Sequence, residues 1–442
     1  MIGKSKEGFH ELQLERCPIR AANLTQLLAF FALERTGLQG QNLRLWFIDR
    51  PTSSRKRLAH SLREARRQHR AEKLLLAGHR GCGKSTELNK LVTELGDDYL
   101  ALNFDLLLAA GRTTIGYEDV MLALATQTIR FCINNNLFGR PLSEPLSDTL
   151  SQVRDRWLRL IAGLEMRTSG AITTHAELTT LLGELQRGVS QSSLTREQIR
   201  DRINQQMPEL IRRVNLVVDE AQRSLGERRL LIIIEGLDKI DLESARNIFR
   251  DHAPTITAIN ATTIFTFPLA LRHADDYQQV RNTFEQKVRV LHNFAPRHPD
   301  GSVNKEEVAL LKELVLKRAE ERLFEPAALD YLVDMCGGIP SHLIQLVQNA
   351  VLFARQRDEN APQITLAAAK AAAKEMRDEM IIGLSAQEWE LLWARHQDRS
   401  PINEPAMQRL FYKSALVEYT NDEPWCDVHP LLLGILTDRY GR

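Results

Sequence analysis

The chain has 442 residues, enough for roughly three domains of about 150 residues each, and a 43% hydrophobic content that excludes wholesale disorder. Its 58 basic and 57 acidic side chains leave a formal charge of +1, so contact with nucleic acid or anionic lipid would have to come from a local patch. The purest apolar runs, 27–33 and 230–234, are far shorter than the roughly 20 residues that span a bilayer. The N-terminal stretch lacks an apolar signal segment, and five scattered cysteines form no C-x-x-C pair. A cytoplasmic protein with reduced thiols and no membrane contact is expected.

Along the chain, Asn23 followed by Gln26 signals a capped helix over 24–35, stopped near Gly37. Leu58, Leu62 and Ala65 at helical spacing mark a second helix over 55–70, with Arg55, Arg57, Arg63, Arg66, Arg67 and Arg70 on its outer face. This is the one basic stripe suited to nucleic acid, although most such stripes are solvated faces. Apolar runs at 73–77, 99–104, 230–234, 262–267 and 288–291 then read as buried strands separated by helical stretches, the pattern of an α/β sheet. A mostly helical insertion over about 113–228 divides the second strand from the third, with loop signals at 139–145 and 190–193. Amphipathic helices follow over 304–354, interrupted at 337–340. The tail opens with a Ser385/Glu388 capping box, continues with a helix starting at Pro405, and forms a hairpin from 416–419 and 425–428: helix, helix, wing, helix.

The strongest signal is Gly78-His79-Arg80-Gly81-Cys82-Gly83-Lys84-Ser85-Thr86, a G-x-x-x-x-G-K-[ST] loop between a strand and a helix. Its glycines let backbone N–H groups curl around phosphate oxygens. Lys84 supplies a charge for the β- and γ-phosphates, and Ser85 a ligand for Mg²⁺. ATP is preferred over GTP because no N-K-x-D guanine-reading element is present. His79 and Arg80 read either as functional or as solvated loop residues.

The strand over 230–234 runs into Glu235-Gly236-Leu237-Asp238, placing carboxylates at the sheet edge where Mg²⁺ is held. Glu235 is the metal-facing candidate, and Asp238 the residue to orient or deprotonate water; with Lys84 they form the catalytic set. Glu in place of the usual Asp leaves the rate of hydrolysis open. Thr266 stands where a polar side chain senses a γ-phosphate, or is simply a β-branched strand residue. Arg246, Arg250, Arg272 and Arg281 are candidates for an arginine finger from a neighbouring subunit.

Four segments together, 78–86, 232–241, Gly338-Ile339-Pro340 and Val428-His429-Pro430-Leu431, resemble the signal-transduction ATPases with numerous domains (STAND). These are relatives of the AAA+ and origin-recognition ATPases. The resemblance implies an α/β P-loop NTPase core with a parallel sheet, a large helical insertion, a helical lid and a C-terminal winged-helix domain. The corresponding division is an arm over 1–40, a core over 41–300, a lid over 301–380 and a winged helix over 381–442. It also implies that Pro340 lies near the nucleotide and that His429 contacts the ADP β-phosphate. The chain departs from the family in Glu235, in Pro430 where a related motif has Asp, and in lacking a lid arginine after Gly338-Ile339-Pro340.

The expected function is an ATP- and Mg²⁺-dependent switch that forms a homo-oligomer or engages a separately encoded protein carrying the effector activity. Bacterial defence or stress signalling is the family-level implication. The alternative is a DNA-binding AAA+ ATPase of the origin-recognition or transposition-regulator type. From residue 385 onward, six basic residues face nine acidic ones, which disfavours duplex DNA binding by the winged helix. A small-molecule kinase is a weaker third class, because no acceptor-site constellation accompanies the loop.

Overall fold

Strands rich in Leu, Ile, Val and Phe, buried on both faces, can persist only inside a sheet covered by helices. In the computed structural model, which describes residues 20–32, 37–51, 53–110, 115–138, 147, 151, 196–401, 405–421 and 423–441, this holds for the central strands at 73–78, 229–235 and 262–268. The edge strands at 99–105 and 288–290, expected to be buried, are largely half-buried because each has a neighbour on one side only. The chain divides into two compact units: one comprises Ser54–Ala77 and Leu91–Val290, the other Met1–Ser53, Gly78–Lys90 and Leu291–Arg442.

The first unit is built on a sheet of strands β1 (Lys73–Gly78), β2 (Tyr99–Asp105), β3 (Arg229–Glu235), β4 (Thr262–Pro268) and β5 (Val288–Val290), in the spatial order β2-β3-β4-β1-β5. The β2/β3, β3/β4 and β1/β5 pairs are parallel. In β4 every residue is buried, and in β3 all but the first. Asp105 is in register with Glu235, so two carboxylates end neighbouring strands. Phe249, Phe265, Phe267 and Phe284 form an edge-to-face cluster in the core. Between β2 and β3 run helices Leu106–Ala110, Tyr117–Asn134, Arg196–Gln205 and Met207–Leu225. The loop signals at 139–145 and 190–193 lie outside the described residues.

Helix Arg55–Arg67 buries Leu58, Ala59, Leu62 and Ala65. It stops short of the expected residue 70 because His69 adopts a left-handed backbone (φ 53°). Its arginines are engaged inside this unit. Arg63 Nε lies 2.8 Å from Asp98 and its Nη2 donates to the Glu94 carbonyl; Arg66 pairs with Asp98 at 3.1 Å; Arg55 pairs with Glu94, Arg67 with Glu64 and Arg70 with Glu72.

In the second unit, helices Lys305–Leu316, Pro326–Met335, Pro340–Arg357 and Leu366–Ile381 share a core of Leu311, Val315, Leu332, Leu343, Val347 and Ala369. Helix Leu24–Phe30 adds Leu24, Leu27 and Phe31 to that core. Its cap is the expected one, Asn23 accepting from the Gln26 N–H, and it ends at Phe30 rather than 35. The tail runs helix Ala386–Asp398, helix Pro405–Tyr412, antiparallel β6 (Leu416–Thr420) and β7 (Pro424–Val428), then helix Pro430–Tyr440. The Ser385/Glu388 capping box is formed. The four described cysteines are free and buried, and no helix among the described residues is long and apolar enough to cross a membrane.

Candidate functional site

Strand β1 feeds the glycine loop directly, and helix Lys84–Glu94 begins at its lysine. Gly81 (φ 83°) and Gly83 (φ 101°) take the left-handed backbone that a curled loop needs and that L side chains avoid. A Cβ on Gly81 would come within 1.8 Å of Ser341 Oγ, so the loop is also closely covered by its own unit. Lys84, 5% exposed, folds back over the loop and donates from Nζ to the carbonyls of Gly78 (2.9 Å) and His79 (2.7 Å). A glycine-rich loop at a helix N-terminus with a buried lysine folded over it is a candidate anion site.

The tail and the Pro340 helix reach this loop inside the same unit. The Glu418 backbone N–H of β6 donates to His79 Nε2 at 2.8 Å, and His79 is 3% exposed, so the reading of His79 as a solvated loop residue is corrected. Arg80 is the exposed member of the pair. The Ser341 N–H, one residue past Pro340, donates to the Gly81 carbonyl at 3.2 Å. His429 caps helix Pro430–Tyr440 by accepting from the Leu431 N–H at Nδ1; when neutral it therefore carries its proton on Nε2, which lies 3.0 Å from His342 Nδ1. Burial pushes the His342 imidazole down to about 4. Burial, with His342 beside it, holds His429 well below the ordinary histidine value.

N-terminal residues complete the surroundings of the loop. The Leu38 N–H donates to Thr86 Oγ1 (3.1 Å), and Asn89 donates to the Leu38 carbonyl (3.0 Å). Arg50, 8% exposed, donates to the carbonyls of Cys82 (2.5 Å) and His292 (3.0 Å) and stacks 4.2 Å over the Phe294 ring. Burial lowers its affinity for the proton, and Glu87 is among the groups that offset this.

In the sheet unit, Glu235 (5% exposed) ends β3, and Asp238 (8%) follows in the short turn Leu237–Lys239. Asp105 lies beside them. Its Oδ2 pairs with Lys239 at 3.3 Å, and a Cβ on Gly236 (φ 88°) would meet its Oδ1 at 2.6 Å. Thr266 Oγ1 donates to the Ile234 carbonyl at 3.4 Å. Of the finger candidates, Arg250 pairs with Asp251 and Asp276, Arg246 lies 3.9 Å from Asp276, Arg281 donates to Gln286, and Arg272 sits in the turn Leu269–His273.

The predicted residues thus fall into two groups. One holds the glycine loop, Lys84, Ser85, Thr86, Pro340 and His429; the other holds Glu235, Asp238 and Thr266. Sequence reasoning missed Asp105, Arg50, Glu418 and His342. Asp105 carried a signal, a carboxylate directly after the apolar run 99–104, whereas the other three gain their places through contacts across long stretches of chain.

A sheet whose glycine-loop strand lies between β4 and β5, and whose third strand ends in a carboxylate, is the α/β core of a P-loop NTPase fold. No family model and no curated protein matches the chain. Solved structures similar to it include Cdc6p from Pyrobaculum aerophilum, at 12% identity over 89% of this chain and 95% of that one, with a TM-score of 0.39. Others are the Aeropyrum pernix ORC1 protein in complex with DNA (13%; 92% and 98%; 0.39) and the Thermotoga maritima RuvB Holliday junction branch migration motor (11%; 88% and 95%; 0.36).

Proposed function

We propose that this chain is an ATP-binding, Mg²⁺-dependent molecular switch with ATPase activity, in which the lid and a C-terminal winged helix respond to the phosphate state of the loop. The carrying observation is that the glycine loop is bonded within one unit to both responding segments, through Ser341 to Gly81 and Glu418 to His79. In this reading the loop amides and Lys84 hold the phosphates, Ser85 and Glu235 hold Mg²⁺, and Asp238 positions water. Thr266 senses the γ-phosphate, and Pro340 and His429 relay the nucleotide state. The four-part division into arm, core, lid and winged helix belongs to the same reading, as do homo-oligomerisation and a separate effector protein.

Calorimetry with Mg²⁺·ATP and Mg²⁺·ADP tests it. The expected result is binding of both, abolished by Lys84→Ala; a wild-type chain that takes up neither heat nor thermal stabilisation overturns the reading. Co-purification in ATP and in ADP, followed by mass spectrometry, tests the oligomer and the partner.

A further inference from the structure

A phosphate cradle works only if its peptide groups point their N–H bonds inward, and a peptide next to glycine can turn over at little cost. The Cys82–Gly83 peptide is such a unit, because Gly83 has φ 101°. Its carbonyl is held by Arg50 Nη2 at 2.5 Å. A trans peptide is planar, with its C=O and N–H opposed, so a cation fixing the Cys82 oxygen on one side directs the Gly83 N–H to the other. Arg50 is itself well anchored. Its Nη1 donates to the His292 carbonyl, its plane lies over Phe294, and its Nε stands 3.9 Å from Glu87, which also accepts from Ser53 Oγ. A Cβ on Gly83 would approach Arg50 Nη2 to 2.9 Å, so the glycine also admits the guanidinium.

We infer that Arg50 is a positioning residue of the phosphate loop: it locks the Cys82–Gly83 peptide so that the Gly83 N–H faces the phosphates. This rests on the reading of the loop as a nucleotide site and adds to it a residue from outside the motif, 32 positions upstream of the carbonyl it holds. Arg50 acts through the peptide and needs no contact with nucleotide. Lysine cannot replace it, because one ammonium on a flexible stem does not reproduce a planar fork bridging two carbonyls.

The test compares wild type, Arg50→Gln and Arg50→Lys by Mg²⁺·ATP calorimetry, apo melting temperature and the backbone amide resonance of Gly83 with and without nucleotide. Charged hydrogen bonds of this kind correspond to a weakening of about 10- to 100-fold, expected in Arg50→Gln and only partly restored in Arg50→Lys. The Gly83 amide should move downfield on nucleotide binding in wild type and lose most of that movement in Arg50→Gln. Unchanged affinity in a folded Arg50→Gln, or a Gly83 shift equal to wild type, overturns the inference. So does failure of both variants to fold, which would make Arg50 a stability residue only. Absence of binding in wild type defeats the nucleotide reading itself, and the two failures are thereby told apart.

Discussion

Glu235 ends a strand whose neighbour ends in Asp105, and Asp238 stands three residues further on, so three carboxylates share one edge of the sheet with Lys239 as a local counter-charge. Asp105 accepts from Lys239 Nζ and from the Leu107 N–H, which offsets part of its charge locally, and the described residues hold no group of three or more Asp, Glu, His or Cys arranged to bind a metal ion by themselves. In the proposed switch, Glu235 and Asp238 are the pair assigned to metal and water chemistry. Glu235→Gln and Asp238→Asn keep shape and remove charge, so each should retain nucleotide binding and lower phosphate release by about 100-fold or more. A phosphate-release assay decides it; turnover unchanged in Asp238→Asn removes that residue from the mechanism. The P-loop and the carboxylate strand were legible because their chemistry is contiguous in sequence. Arg50 was not, since its partners are backbone carbonyls of Cys82 and His292, which leave no mark on the identity of the residues that supply them.

Elements with strong local chemistry were equally legible. The caps expected at Asn23 and Ser385 are formed, each accepting a backbone N–H three residues on; Asn304 and Thr365 cap their helices in the same way but were not singled out in the sequence, although such caps need no tertiary information. The joining of the Pro340 helix to the final helix was not legible, because it rests on two histidines 87 positions apart. His342 and His429 are both held below the ordinary histidine value by burial, so the folded state binds fewer protons than the unfolded one as pH falls. The contribution of His342 is therefore present above about 6.5 and lost as pH drops through about 4, and that of His429 is lost in the same direction. For His342 this displacement corresponds to roughly 3 kcal/mol. Tyr419 and Cys336, packed nearby with raised pKa values, stay neutral across that window. Thermal melts from pH 7 to 4.5 should show a fall in melting temperature that is shallower in His342→Gln; parallel curves for the two proteins would assign the acid sensitivity to other groups.

At the scale of the whole molecule, a net charge of +1 leaves nucleic-acid binding to a local stripe, and helix Arg55–Arg67 was the one the sequence offered. The arginines of that stripe are largely committed: Arg55 to Glu94, Arg63 to Asp98 and the Glu94 carbonyl, Arg66 to Asp98 and the Glu227 carbonyl, and Arg70 to Glu72. Helical periodicity shows which face a charge lies on. It does not show whether an acidic residue from another element stands opposite, which is why the stripe reads as a DNA surface in one dimension and as an ion-pair network in three. Affinity for duplex DNA through six free arginines would fall with salt at a logarithmic slope of about −5, because each neutralised phosphate releases condensed counterion. Arginines already paired release little and must break their own bonds to do so, so a slope near zero is expected. Arg63→Glu should then place like charge against Asp98, lower the melting temperature and leave DNA retention unchanged. Filter binding at two salt concentrations, with and without Mg²⁺·ATP, reads this directly. A steep slope that Arg63→Glu and Arg66→Glu abolish would reassign the helix to nucleic acid and favour the DNA-binding AAA+ reading over the protein-engaging switch.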